Sequence, residues 1–178
     1  MPPKTAHNNL AELDFRMMVQ IDMEMTTFNS NWTHCDYIST YLARTVSHNR
    51  PDSVLFANLL SSALNELLEI TFRTRHSGGT FGCSVSRRNH VDRIELTFTC
   101  GEDERRSFEH AVTRIQAGAV EAGAVEADYI SSLSREVGPG RDMLLLELVV
   151  SYKAQVRFDT YDDSVKLVVD LPLGGLTH

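Results

Sequence analysis

The sequence predicts an α+β protein, a two-layer sandwich with helices on one face of a mixed, mostly antiparallel sheet. Three observations lead there. Segments 33–48 and 53–73 carry apolar residues at helical spacing, while 14–24 partly alternates at period two, 93–99 and 164–171 alternate, and 81–87 and 154–160 read as the strands paired with them. The last four of those strands fall into two pairs, each joined by a short polar turn, which marks them as hairpins. Helices and strands are grouped rather than strictly alternated, the pattern of helices laid on an antiparallel sheet.

Taken in order, the first strand places Phe15, Met17, Val19, Ile21 and Met23 on one face. In 33–48, Tyr37, Ile38, Tyr41, Leu42, Thr45 and Val46 recur at helical spacing with Thr33 as cap, and Asn49-Arg50-Pro51-Asp52 stops the helix. Leu55, Leu59, Ala63, Leu67 and Ile70 form the apolar face of 53–73, and Gly78-Gly79 closes the connection. The first hairpin turns through residues 88–92. Segment 104–136 reads as two helical pieces around a local duplication, Ala117-Gly118-Ala119-Val120-Glu121 and Ala122-Gly123-Ala124-Val125-Glu126, whose interior glycines each weaken a helix by about 1 kcal/mol. An apolar helix over 143–152 follows the turn Gly138-Pro139-Gly140, and the chain closes on the hairpin around Tyr161-Asp162-Asp163.

A chain of 178 residues, 42% of them hydrophobic, supports one core, so residues 14–178 form one expected domain behind a flexible segment 1–13. The net charge of −7 disfavours nucleic acid, which attracts a surplus of Lys and Arg. No apolar run is read as long enough to cross a membrane, and the polar start lacks a secretory leader, so a cytoplasmic location is expected. Cys35, Cys83 and Cys100 are too dispersed for a Cys-x-x-Cys centre and read as buried thiols. His34-Cys35-Asp36 offers metal-ligating types, but adjacent residues on a helix point apart and no second pair completes a set.

The stretch 64–73 carries the motif evidence. Glu66, position 70 and Arg73 share a helix face, so their side chains can converge on one ligand. This spacing resembles the nucleotide box of the histidine-kinase and anti-sigma-factor type of ATPase, the superfamily of gyrase, in which Glu or Asn is followed by Asn and then by Lys or Arg. The resemblance covers about 14–172 and implies the Bergerat-like fold of that superfamily. It also implies weak nucleotide-binding roles for Glu66, Arg73, Gly101, Gly138 and Gly140, with Glu66 as the catalytic group if the protein is active. Ile70 stands where the family's Mg²⁺-linked asparagine belongs, and a hard cation takes oxygen ligands that isoleucine lacks. The adenine-side Asp-x-Gly-x-Gly box is replaced by Thr99-Cys100-Gly101-Glu102-Asp103, and Pro139 has no N–H to offer a phosphate.

The expected function is therefore that of a bacterial-type signalling or regulatory protein: a degenerate ATPase-type scaffold acting through a protein partner, including a homodimer, with no cofactor and with neither nucleic acid nor membrane as partner. ATP and Mg²⁺ belong to the alternative, an ATP-dependent serine or histidine kinase of the anti-sigma-factor type. A further alternative is a phosphotransfer protein with an ATPase-like domain. His48-Asn49-Arg50-Pro51 resembles a phosphoacceptor box, but its residues are better read as a turn. Segment 101–140 and helix 33–48 are the expected partner surface.

Overall fold

A computed structural model describes residues 14–74, 76–118, 123–133 and 141–175. Five strands, β1 (Arg16–Glu24), β2 (Thr80–Arg88), β3 (Val91–Thr99), β4 (Gln155–Tyr161) and β5 (Ser164–Leu171), form one sheet in the order β1-β2-β3-β5-β4. Every pairing is antiparallel. The helices are α1 (Met25–Phe28), α2 (Thr33–Ser47), α3 (Ser53–Phe72), α4 (Glu102–Gly118), α5 (Ala124–Leu133) and α6 (Arg141–Tyr152), with a 3₁₀ turn at Leu173–Gly175. The architecture is α+β, helices on a sheet, and the expected element order holds with α1 and the 3₁₀ turn added.

Register explains the layering. Because side chains alternate across a strand, the pairing brings apolar residues into rows that cross all five strands. Val19, Val85, Ile94, Val169 and Val156 form one row; Ile21, Cys83, Leu96, Leu167 and Phe158 form the next. These rows join Phe56, Leu60, Leu64 and Leu67 of α3, Phe108 and Val112 of α4, and Leu145 and Leu148 of α6 in one core. Each fully buried Phe or Leu adds about 1.5–3 kcal/mol relative to exposure. Phe28 stacks on Phe81 at 4.2 Å between ring centres, so the one-turn α1 seals the end of the sheet.

The opposite sheet face is mostly polar, with Gln20, Ser84, Glu95, Val168 and Arg157 in one row and Asp22, Gly82, Thr97, Lys166 and Asp159 in another. Lys166 bonds Glu95 at 3.1 Å, and Arg93 holds Asp170 through two hydrogen bonds of 2.7 and 2.9 Å. Phe15 lies under the guanidinium groups of Arg93 and Arg88, 3.8 and 4.6 Å from its ring centre.

Several local expectations are corrected. A bulge between Met17 and Val19 shifts the register, so Met17 pairs with Ser86 and leaves the apolar face expected of it. Asn31, whose side-chain oxygen accepts from the Thr33 N–H at 3.0 Å, does the work expected of Thr33. Leu55, Tyr37 and Tyr41 are exposed; α2 buries Leu42 and Val46 as expected, and with them Cys35, Ser39 and Ala43. Among the described residues α3 alone is long and apolar enough to cross a membrane, against expectation, and its apolar residues enter the common core. Asn49 adopts a positive φ of 70° after α2, in agreement with a turn at His48–Pro51. All three cysteines are buried thiols, as expected. Residues 1–13, the 119–122 part of the duplication, Gly138 and Gly140 lie outside the described residues.

Candidate functional site

The box-bearing helix α3 packs against α6, and Glu66 lies at that seam. Its Oε2 atom is buried without a hydrogen-bond partner. Burial, then the negative charges of Glu147 and Glu69, push its carboxyl up to about 7, so it exchanges its proton near neutrality. Tyr152, on the last turn of α6, is hydrogen-bonded to Ser62, one turn before Glu66; burial first and Glu66 second raise its phenol above the ordinary value. Tyr129 of α5 also senses Glu147 and Glu66, after burial as the main cause of its raised value.

The three positions of the box have different surroundings. Glu66 turns to the seam. Ile70 is fully buried in the apolar core. Arg73 bonds Glu69 one turn back at 2.5 Å, the ordinary (i, i+4) pair of a helix end. Gly101 precedes α4, its carbonyl accepting the Arg105 N–H at 3.0 Å, which is a helix-start role. Gly138 and Gly140 are outside the described residues. His34, with its Nδ1 at 3.2 Å from the Phe28 carbonyl oxygen, has a local structural partner, and among the described residues no cluster of His, Cys, Asp and Glu is arranged to hold a metal.

The partners of Glu66 were missed from sequence. Glu147 is the lone charge in the run Met143–Tyr152, and that interruption was the available signal; Tyr152 and Ser62 carry none, since only the packing of α6 on α3 brings them together. Chemically, the seam can hold and release a proton. It gathers negative charge, which repels a polyphosphate rather than drawing it in.

A second surface stands out on α2 and the first turn of α3. On α2, Tyr37 and Tyr41 are 66% and 58% exposed one turn apart, and on α3 Val54 and Leu55 are 74% and 51% exposed. A cavity of about 560 Å³ lies between these helices at their joined ends, lined by Arg44, His48, Val54 and Ala57 among others. Arg44 is one turn beyond Tyr41, so the outer stripe of α2 ends in a cation. Compared with known proteins, the chain matches no family model, no curated protein and no solved structure.

Proposed function

We propose that this protein is a cytoplasmic regulatory module that works by binding another protein, on a scaffold of the histidine-kinase and anti-sigma-factor ATPase type that has lost efficient Mg-ATP chemistry. The observation that carries the binding reading is the exposed stripe of Tyr37 and Tyr41 on α2, with Val54 and Leu55 also exposed on the first turn of α3. Large side chains left in water at neighbouring helical positions mark interaction surfaces, and tyrosine gives much contact area for little lost conformational freedom. The loss of nucleotide chemistry is supported by Ile70, which faces the core, and by the acidic surroundings of Glu66. A triphosphate brought to that seam would meet Glu66, Glu69 and Glu147.

Thermal melting with and without Mg-ATP is the direct test. A ligand at a hundred times its Kd adds about 2.7 kcal/mol of stability, readily seen as a shift in Tm. No shift at millimolar Mg-ATP is expected, and a clear shift would refute the pseudo-ATPase reading. For the surface, Tyr37→Ser with Tyr41→Ser should abolish retention of the physiological partner without lowering Tm; undiminished retention would remove α2 from the account. One observation favours the alternative of an ATP-dependent serine or histidine kinase: a carboxyl titrating near 7 is suited to accept a hydroxyl proton. Phosphate transfer from ATP that Glu66→Gln eliminates would establish that alternative.

A further inference from the structure

The two edges of the sheet differ. At one edge β1 is interrupted by the bulge between Met17 and Val19, a device that blunts an edge against further pairing. At the other, β4 pairs with β5 across seven consecutive residues, Gln155–Tyr161, with no bulge, proline or lysine. Gln116 Nε2 donates to the Val156 carbonyl at 3.0 Å, so that carbonyl points away from β5. Antiparallel alternation then turns the N–H and C=O groups of Val156, Phe158 and Thr160 to the open side. Beyond them lies a cavity of about 390 Å³, bounded by Glu109, Val112, Thr113 and Gln116, which share one face of α4.

We propose that β4 is the self-association edge of this protein: two copies pair their β4 strands antiparallel about a two-fold axis through Phe158, giving one ten-stranded sheet. The strand is its own complement in that register. Phe158 meets Phe158 of the second copy, Val156 meets Thr160, and Arg157 meets Asp159 on both sides of the axis. The residues that would exchange backbone hydrogen bonds, 156, 158 and 160, are the ones whose groups face outward. Slipping two residues either way sets Asp159 against Asp159 or Arg157 against Arg157, so charge selects the register.

The charges are available for this use. Asp159 is exposed and forms no ion pair among the described residues, because Lys166 opposite it bonds Glu95. Arg157 reaches Asp170 only at 3.6 Å, and Asp170 is already held twice by Arg93. Half-buried Phe158, stacked on Phe108 at 5.8 Å, would lose its remaining exposure against its counterpart. Gln116 occupies one lone pair of the Val156 carbonyl and leaves the other for an incoming N–H.

The test is sedimentation of the full chain over a concentration series up to about 100 µM, paired with hydrogen exchange at Phe158 and Thr160. The wild type is expected to dimerise, with those two amides protected as dimer forms. Arg157→Asp and Asp159→Arg, each confirmed folded by its melting curve, should each weaken dimerisation by about tenfold or more, and the double exchange should restore it. The Tyr37→Ser, Tyr41→Ser variant should dimerise as wild type, which separates this edge from the α2 surface. A chain monomeric throughout the series overturns the proposal, as does a dimer insensitive to both single exchanges or one lost with the tyrosines. A double exchange that stays monomeric does so too.

Discussion

Glu66 shows how one carboxyl can couple a fold to pH. Its value rises from 4.5 to about 7 in the folded chain, so folding favours the protonated form. The stability this group contributes is fully present below pH 4.5 and is lost as pH rises through 7. Glu66→Gln keeps the neutral form at every pH. Denaturant unfolding at pH 8 should find the variant more stable than wild type by about 1 to 2 kcal/mol, a figure reduced for the partial exposure of the carboxyl, and the gap should close at pH 4.5 and below. An equal gap at both pH values would show that Glu66 is ionised without cost. At this scale the sequence was informative about residue type and poor about direction. The spacing of Glu66 and Arg73 was legible, but which way each side chain turns depended on the position of α6. Helical periodicity alone also could not tell Tyr37 and Tyr41, at the edge of an apolar arc, from the buried Leu42 and Val46.

Elements were legible almost throughout, because period-two and helical patterns are local, and so were the hairpins at Asn89–His90 and Asp162–Asp163, each with a positive φ at its first residue, 54° and 43°. The bulge in β1 coincides with the one break in the alternation of Phe15 to Met23, the apolar run Met17-Met18-Val19, but three apolar residues in a row do not say which of them leaves the core, and only the partner strand reveals the shift. Glycine in the connection before β2 had a reason that sequence could not supply. Gly79 has φ of 81°, its carbonyl accepts the Met25 N–H at 2.9 Å, and a Cβ there would stand 2.0 Å from Thr99 Oγ1. Gly79→Ala therefore combines left-handed strain with a collision against β3. It should destabilise by about 2 to 3 kcal/mol, measured as a lower urea midpoint with unchanged slope. A loss under about 0.5 kcal/mol would mean that β2 and β3 can separate here freely.

For the whole molecule, the single core makes a kinetic claim. Cys35 on α2 and Cys83 on β2 come from opposite layers, and burial pushes both thiols up to about 12, aided by Glu69 at the first and Asp22 at the second. Neither reacts as a thiolate until it reaches water. If both layers open only together, an excess of alkylating agent should label the two thiols on one molecule at one rate, that of global unfolding. Mass spectrometry would then find the pair modified together or not at all; a population carrying one adduct would show that a layer opens by itself. The layer arrangement was legible in the order of elements, whereas its antiparallel character throughout required the pairing of β3 with β5.

The sheet has helices on one face and a polar ladder on the other, and this makes neighbouring positions unequal in what evolution can do with them. Along β3, Ile94, Leu96 and Phe98 belong to the core, while Glu95 and Thr97 face outward between them. Substitutions should therefore be tolerated in alternation along the strand, and a library of random variants would recover the sheet's facing from survival alone. Arg93 is a place where that alternation should fail: it faces outward yet is only 5% exposed, locked between Asp170 and the ring of Phe15. An outward position that behaves as a core position would mark where the chain segment leading into β1 is fastened to the back of the sheet.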